Sequence, residues 1–183
     1  MTRRVCLSLL HFPVVDRSGN VITTAITNLD VHDISRSART FGLSDVFIVH
    51  PVEAQRTLAE RVKQHWVHGA GGKRIPDRSA ALDRVRVVTS LDEAMKAVSP
   101  DVELWTTAAQ SQGKDATFAE LRTELTREGP PVMLLFGTGW GIAPEVFRRA
   151  TRFIEPIRGT DDWNHLSVRA ACAIALDRLL GER

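Results

Sequence analysis

The run VMLLFGTGWGIAPE, Val132 to Glu145, restricts the possible folds of this chain more than any other stretch. Val132 to Phe136 is apolar at every position, has the length of a strand and follows Pro130 and Pro131. That is the pattern of a central parallel strand buried on both faces. Gly137, Gly139 and Gly141 then remove three Cβ atoms from one tight turn, so the backbone can take positive φ and come close to a bound group. Pro144 and Glu145 open a helix, the proline suited to its first turn and the carboxylate to its positive end. Trp140, inside the turn, is either a lid over a ligand or an anchor in the core.

A glycine-rich turn between strand and helix is also the form of a dinucleotide site. Here the spacing is G-x-G-x-G, and a dinucleotide fingerprint belongs to an early βα unit with several strands after it. One strand and one helix remain, so the dinucleotide-binding oxidoreductase becomes the minor reading, separable by nicotinamide binding. The second βα junction is FIEPIRGTDDWNHLSVRAACAIALDRLLG: a strand ending at Pro156, a polar loop, then a helix from His165 to Leu180 built of small apolar residues. Both junctions have the character of ligand-holding turns.

The rest of the chain supplies the strands and helices around them. MTRRVCLSLLHFPV puts two arginines before an apolar run in the manner of a leader, but the run is short and broken by His11 and Pro13. It reads as the first strand. DRSGN is a turn, and a helix from Val31 to Phe41 follows, ended by Gly42. Val31, Ile34, Ala38 and Phe41 share one face of it, which turns Arg36 and Arg39 away from the core. Ser44 to His50 is the second strand, and Val52 to His68 a helix with Leu58, Val62 and Trp66 on its apolar stripe. His65 and His68 lie three apart on that helix, without the further Cys or carboxylate partners a metal site requires. GAGGKRIPDRS reads as a flexible basic loop. Val85 to Thr89 is the third strand, Ser90 and Glu93 form a capping box for a helix through Val98, and Val102 to Thr107 is the fourth strand. It ends in TTAAQSQGK, small polar residues at a carboxyl strand edge, where open α/β sheets bind ligands. Phe118 to Glu128 is an amphipathic helix. This alternation predicts an α/β fold, a mostly parallel sheet with helices on both faces, in one domain spanning residues 1–183.

Composition adds limits. The net charge is +2 with pI 8.8, only mildly basic, so charge alone does not point to nucleic acid. Arg3 with Arg4, Lys73 with Arg74 and Arg78, and Arg148, Arg149, Arg152 and Arg158 form local basic clusters that suit phosphate contacts if they share a face. Cys6 and Cys172, far apart in apolar segments, read as free buried thiols of a cytoplasmic protein. No stretch approaches transmembrane length, and no membrane partner is expected.

Three blocks, TNLDVHDISRSARTFGLSDVFIVHP, LLFGTGWGIAPEVF and IEPIRGTDDWNHLSVRAACAI, resemble in order and spacing the three SpoU-type motifs of the SPOUT superfamily of S-adenosylmethionine-dependent RNA methyltransferases. GTGWG with DWNHLSVR resembles one small bacterial branch of it, and the blocks with their intervening strands cover nearly the whole chain. The resemblance implies a C-terminal trefoil knot, an exception to the usual absence of knots. It also implies a homodimer, an RNA substrate (tRNA or rRNA), no metal, and S-adenosylmethionine bent into the knot. The implied cofactor wall comprises Thr106, Thr107 and Ala108; Phe136, Gly137, Thr138, Gly139 and Gly141; and Ile157, Asn164, Leu166 and Ser167. Most of these contacts would run through the main chain, with Asn164 and Ser167 as polar side chains. Each has a rival role at the helix start, Asn164 as N-cap and Ser167 in the first turn.

The family's arginine motif R-x-A-x-x-x-G matches Arg36, Ala38 and Gly42. SpoU-type enzymes usually carry Asn six residues before that arginine, and this chain has Asp30 there. Methyl transfer from a sulfonium is an in-line displacement that asks the protein mainly for alignment. A ribose 2′-hydroxyl needs help with its proton or charge, and Arg36, a poor base because its guanidinium stays protonated, suits electrostatic stabilisation or phosphate holding, reaching the partner subunit's cofactor, with the group that removes the proton left open. Asp30 is either a base, which suits a ring nitrogen as target, or a helix N-cap. The readings are an RNA 2′-O-methyltransferase, a base N-methyltransferase, or an RNA-binding module without catalysis.

Overall fold

The computed structural model describes residues 2–161 and 163–182; Asp162, within the DWNHLSVR run, lies outside the described residues. In chain order the elements are β1 (Val5–Leu10), β2 (Val14–Val15), β3 (Val21–Ile22), α1 (Asn28–Thr40), β4 (Val46–Val49), α2 (Glu53–Val67), α3 (Ala70–Arg74), α4 (Pro76–Leu82), β5 (Val85–Val88) and α5 (Leu91–Val98). There follow β6 (Glu103–Thr106), β7 (Asp115–Ala116), α6 (Phe118–Leu125), β8 (Val132–Gly137), α7 (Pro144–Phe147), β9 (Arg152–Ile154) and α8 (Val168–Leu180). Seven strands form one sheet in the order β5-β4-β1-β8-β6-β9-β7, paired in parallel throughout. β2 and β3 make a separate antiparallel hairpin.

The apolar run of β8 sits at the middle of this sheet, flanked by β1 (Val5↔Val132 to Leu10↔Gly137) and β6 (Glu103↔Val132 to Thr106↔Leu135). Because strand side chains alternate, its residues divide between two cores. Val132, Leu134 and Phe136 join the core roofed by α1, α4, α6 and α8, and Met133 and Leu135 join the one under α5 and α7. Val5, Leu7 and Leu9 of β1 and Val46 and Ile48 of β4 face the first core, while Cys6, Leu10, Phe47 and Val49 face the second. Burial of every β8 residue but the last explains why its sequence shows no alternation.

Several local expectations are corrected. The first helix begins at Asn28 rather than Val31 because Thr27 caps it, its Oγ1 accepting the Asp30 N–H at 3.1 Å. GAGGKRIPDRS is not a loop: it folds into α3 and α4, with Gly71 buried where an added Cβ would meet Trp66 Cε3 at 2.8 Å, and Pro76 opening α4. On α2 the buried residue is Ala59, Leu58 is exposed, and Val62 and Trp66 are half-buried. Ser90 caps α5 as expected, but Glu93 reaches back to the Thr89 N–H at 2.8 Å instead of closing a box on Ser90. The helix of Phe118 stops at Leu125. The last helix starts at Val168, with Ser167 as its N-cap through the Ala170 N–H, so neither Asn164 as cap nor Ser167 in the first turn holds.

Many of the nominated basic residues are engaged within the fold. Arg3 is buried and pairs with Glu103 at 2.9 Å and Glu124 at 3.6 Å; Arg4 pairs with Asp45, Arg149 with Asp92 and Arg152 with Glu124. Arg78 lies over the Trp66 ring, 4.5 Å from its centroid. Both cysteines are free and buried, and burial pushes their thiols up to about 12.

Candidate functional site

A cavity of about 850 Å³ opens at the carboxyl ends of β8 and β6 and is closed by the segment before α8. The expected cofactor-binding residues all line it except Thr106: Thr107, Ala108, Phe136, Gly137, Thr138, Gly139, Gly141, Ile157, Asn164, Leu166 and Ser167. Thr106 is the last residue of β6 and is buried, while its neighbour Thr107, on the opposite side of the alternation, reaches the cavity. Asp30 also lines the cavity, and Arg36 does not. Arg36 is exposed on α1, about 9 Å further along the helix axis than Asp30 at ~1.5 Å per residue and on another face.

The glycine turn has the backbone its sequence asked for. Gly139 has φ +62° and Gly141 φ +121°, and an added Cβ at Gly139 would stand 3.0 Å from the Val15 carbonyl oxygen. Main-chain bonds clamp the turn to the hairpin: the Trp140 N–H donates to the Val15 oxygen and the Val15 N–H to the Gly141 oxygen, each at 2.9 Å. Trp140 itself is 60% exposed, at the cavity rim, so the core-anchor reading fails. Three polar side chains of the wall are tied to the protein. Thr107 donates to the Leu135 carbonyl, Asn164 to the Ala109 carbonyl, and Ser167 caps α8. Those three side chains are thus committed within the fold, which leaves their stretch of wall to offer a ligand apolar surface and main chain.

Behind the turn runs a polar chain, buried at His11 and half-buried at its two threonines, whose proton order follows from counting donors. Thr138 donates its hydroxyl to the Leu10 carbonyl at 3.0 Å, so toward Thr24 it accepts. Thr24 therefore spends its hydroxyl proton on Thr138 and must accept from His11 Nδ1, 3.0 Å away. His11 is thus the Nδ1–H tautomer. Its Nε2 has no hydrogen-bond partner among the described residues. The neighbouring His50 is fixed in the other tautomer, because its Nδ1 accepts the Val52 N–H and its Nε2 donates to the Thr24 carbonyl. Together these bonds fix Thr138, a cavity residue, to the end of β1.

Burial pushes the His11 imidazole down to about 4 from an ordinary 6.5, and His50 beside it adds to the effect. The unfolded chain takes up this proton as pH falls below 6.5 while the folded one resists until about 4. Stability is therefore full above 6.5 and is lost between those values, by up to about 3 kcal/mol at 1.36 kcal/mol per pH unit. Denaturant titrations at pH 7 and 4.5 check this against His11→Phe, which is expected to lose distinctly less stability on acidification than the native chain. Equal losses would show that His11 contributes none of the slope.

Asp30 is buried and held at both oxygens: Oδ1 accepts from Arg169 Nη1 at 2.6 Å and Oδ2 from the Thr27 hydroxyl at 2.6 Å. Thr27, not Asp30, is the N-cap. The Asp30–Arg169 pair joins the starts of α1 and α8 inside the cavity wall, with Asp33 at 3.6 Å from Arg169 Nε. Asp30→Ala leaves that guanidinium with only the longer contact to Asp33 and is expected to lower unfolding stability by about 1.5–3 kcal/mol, the range for hydrogen bonds to charged groups. Urea denaturation measures it, and a loss within error of zero would make the pair incidental.

Sequence reasoning passed over Arg169 and His11. The signals were a lone basic residue in the first turn of a helix of small apolar residues, and a histidine ending an apolar strand. Among the described residues no group of His, Cys, Asp and Glu has the makings of a metal site, and no helix is long and apolar enough to cross a membrane. His65 packs edge-on against Trp66, with ring centroids 5.3 Å apart.

A family model described as SAM-dependent RNA methyltransferase matches residues 4–181. The chain is 41% identical over 188 residues to a tRNA (guanine-N(1)-)-methyltransferase of Oleidesulfovibrio alaskensis, aligning 98% of itself with 43% of that protein. It thus spans less than half the length of that relative. It is 36% identical over 183 residues to an uncharacterized protein of Aquifex aeolicus, covering 98% of itself and 89% of the relative. Among solved structures, the SpoU methyltransferase AviRb from Streptomyces viridochromogenes superposes with TM-score 0.61 at 15% identity, over 98% of this chain and 60% of that one.

Proposed function

The chain belongs to the family of S-adenosylmethionine-dependent RNA methyltransferases and has the α/β fold of SpoU-type enzymes, and we propose that it methylates a ribose 2′-hydroxyl of tRNA or rRNA. In this reading it works as a cytoplasmic homodimer with a C-terminal trefoil knot. The observation that carries the reading is convergence: two βα junctions far from the β6 edge in sequence meet around one cavity whose floor is a glycine turn. Its size is within the range of small-molecule sites, roughly 300–1,000 Å³.

The cavity suits S-adenosylmethionine on its own chemistry. Phe136, Ile142, Ile157 and Leu166 offer apolar surface for a purine ring, and the glycine turn leaves its main chain open to close approach. When bound, the cofactor supplies the activated methyl group. The protein's own part is to hold, exclude water and align. The Thr138–Thr24–His11 chain keeps the turn in place, and the Arg169–Asp30 pair fixes the opposite wall. Arg36, turned away from the cavity of its own chain, acts in the partner subunit's site, where its guanidinium stabilises the developing alkoxide or holds the adjoining phosphate.

Methylation of a base nitrogen is the second reading, favoured by Asp30, a carboxylate in the cavity wall that suits acceptance of a ring proton. The guanine-N(1) activity named for the Oleidesulfovibrio relative attaches to a protein more than half of which has no counterpart here. Titration of the purified protein with S-adenosylmethionine by calorimetry tests the shared premise of both readings. Saturable binding is expected, with no heat from a nicotinamide dinucleotide. A folded protein that binds neither leaves the RNA-binding module without catalysis.

A further inference from the structure

Trp140 and Trp163 stand 60% and 73% exposed, while the chain's other two tryptophans, Trp66 and Trp105, are half-buried and buried. The exposed pair is joined through His165, whose ring centroid lies 6.2 Å from that of Trp140 and 4.9 Å from that of Trp163, edge-on to both. Arg17 closes the group, its Cζ 5.8 Å from the Trp140 centroid. Trp140, His165 and Arg17 line the cavity, so this cluster forms its rim. Two indoles held in water beside a ligand cavity forgo the stabilisation of burial, the mark of a surface waiting for a partner.

The chemistry of the rim selects that partner. Aromatic rings and Arg also mark protein interfaces, so the choice of partner rests on where this cluster stands, at the rim of the ligand cavity of a chain in an RNA methyltransferase family. It offers flat rings with a guanidinium over one of them, the surface on which unstacked nucleobases lie. A nucleotide that presents its reacting atom to an enclosed cavity must leave its helical stack, and its neighbours lose a stacking face when it does. We propose that Trp163, His165, Trp140 and Arg17 form a stacking platform for a base of single-stranded RNA adjoining the target nucleotide. This rests on the methyltransferase reading above. The backbone of Trp163 is anchored for the purpose, its N–H donating to Asp161 Oδ1 at 3.0 Å.

The test uses the native chain, Trp163→Ala and Trp163→Phe with a fluorescein-labelled single-stranded RNA of about 12 nucleotides, within the site sizes of single-strand binders, and the same strand annealed to its complement. The platform predicts that the single strand binds more tightly than the duplex and quenches tryptophan emission. Trp163→Ala should weaken single-strand binding about 5- to 150-fold, the range for losing one base–aromatic stack, and Trp163→Phe should restore most of it. Melting temperature and S-adenosylmethionine affinity should stay unchanged in both variants. No single-strand binding by the native chain, or an alanine variant within twofold of native, overturns the platform. So does a change of molar mass in light scattering for Trp163→Ala, which would make the rim a contact between two copies of this chain. Failure of the methyltransferase reading shows separately, as absence of cofactor binding by the native protein.

Discussion

Gly139→Trp is expected to abolish binding of S-adenosylmethionine while leaving the sheet intact. Gly139 holds φ +62°, where a side chain costs about 1–2 kcal/mol, and its Cβ would lie 3.0 Å from the Val15 oxygen and 3.3 Å from Thr24 Cγ2. Side chain and strained backbone together force the turn to shift against the hairpin, and the cavity floor that the turn forms moves with it. An affinity loss of at least about 100-fold, ~2.7 kcal/mol, is expected from displacing that floor. Ala108→Trp adds bulk to the cavity wall from the β6 edge without a positive-φ backbone, and it should fail to bind too. Calorimetry with a parallel thermal melt reads both variants. If Gly139→Trp binds as the native chain does, the cofactor lies elsewhere and the glycine turn is a packing device.

Arg36→Ala is expected to leave cofactor affinity unchanged and to lower the methyl-transfer rate about 10²- to 10³-fold, the range for deleting one donor to a developing oxyanion. The separation of the two effects follows from the proposed role, since Arg36 is outside the cavity of its own chain and, in the partner's site, meets the alkoxide or phosphate of the RNA. The same geometry makes a sharper demand. Mixing Arg36→Ala with Gly139→Trp subunits should regain activity that neither has alone: half the dimers are mixed, and each has one site with an intact cavity and a partner's Arg36, so about a quarter of native activity returns. If the mixture stays as inactive as its components, Arg36 does not act across the dimer. If Arg36→Ala turns over normally, the motif match carries no chemistry here.

Much of this site was legible in the sequence because its signals are local. A fully apolar strand entering G-x-G-x-G announces a buried strand and a turn of unusual backbone, and Val132–Gly137 with Gly139 and Gly141 at positive φ is what folds. The carboxyl edge of β6 was readable from its small polar residues, though which of Thr106 and Thr107 faces the cavity depends on strand register, which neighbouring residues cannot reveal. Interactions between distant segments were not legible. His11, Thr24 and Thr138 look unremarkable one by one, and their order of protons exists once the hairpin brings them together. Arg169 meets Asp30 from 139 residues away, so the departure at Asp30 could be noticed but its partner could not. The segment Gly69–Ser79 misled for a different reason. Its three glycines suggested mobility, whereas Gly71 is required for close packing on Trp66.

The central claim is tested most directly by incubating the native chain with tRNA and rRNA and S-adenosylmethionine carrying a radiolabelled methyl group, then hydrolysing the RNA in alkali. Alkaline cleavage needs a free 2′-hydroxyl, so a ribose-methylated nucleotide survives joined to its 3′ neighbour. Label in alkali-resistant dinucleotides is the result expected of a ribose methyltransferase, and it should vanish with Gly139→Trp. Label in mononucleotides would replace ribose by base methylation and turn attention to Asp30. No label in any RNA fraction, from a protein that binds the cofactor, would contradict the proposal that RNA is the methyl acceptor.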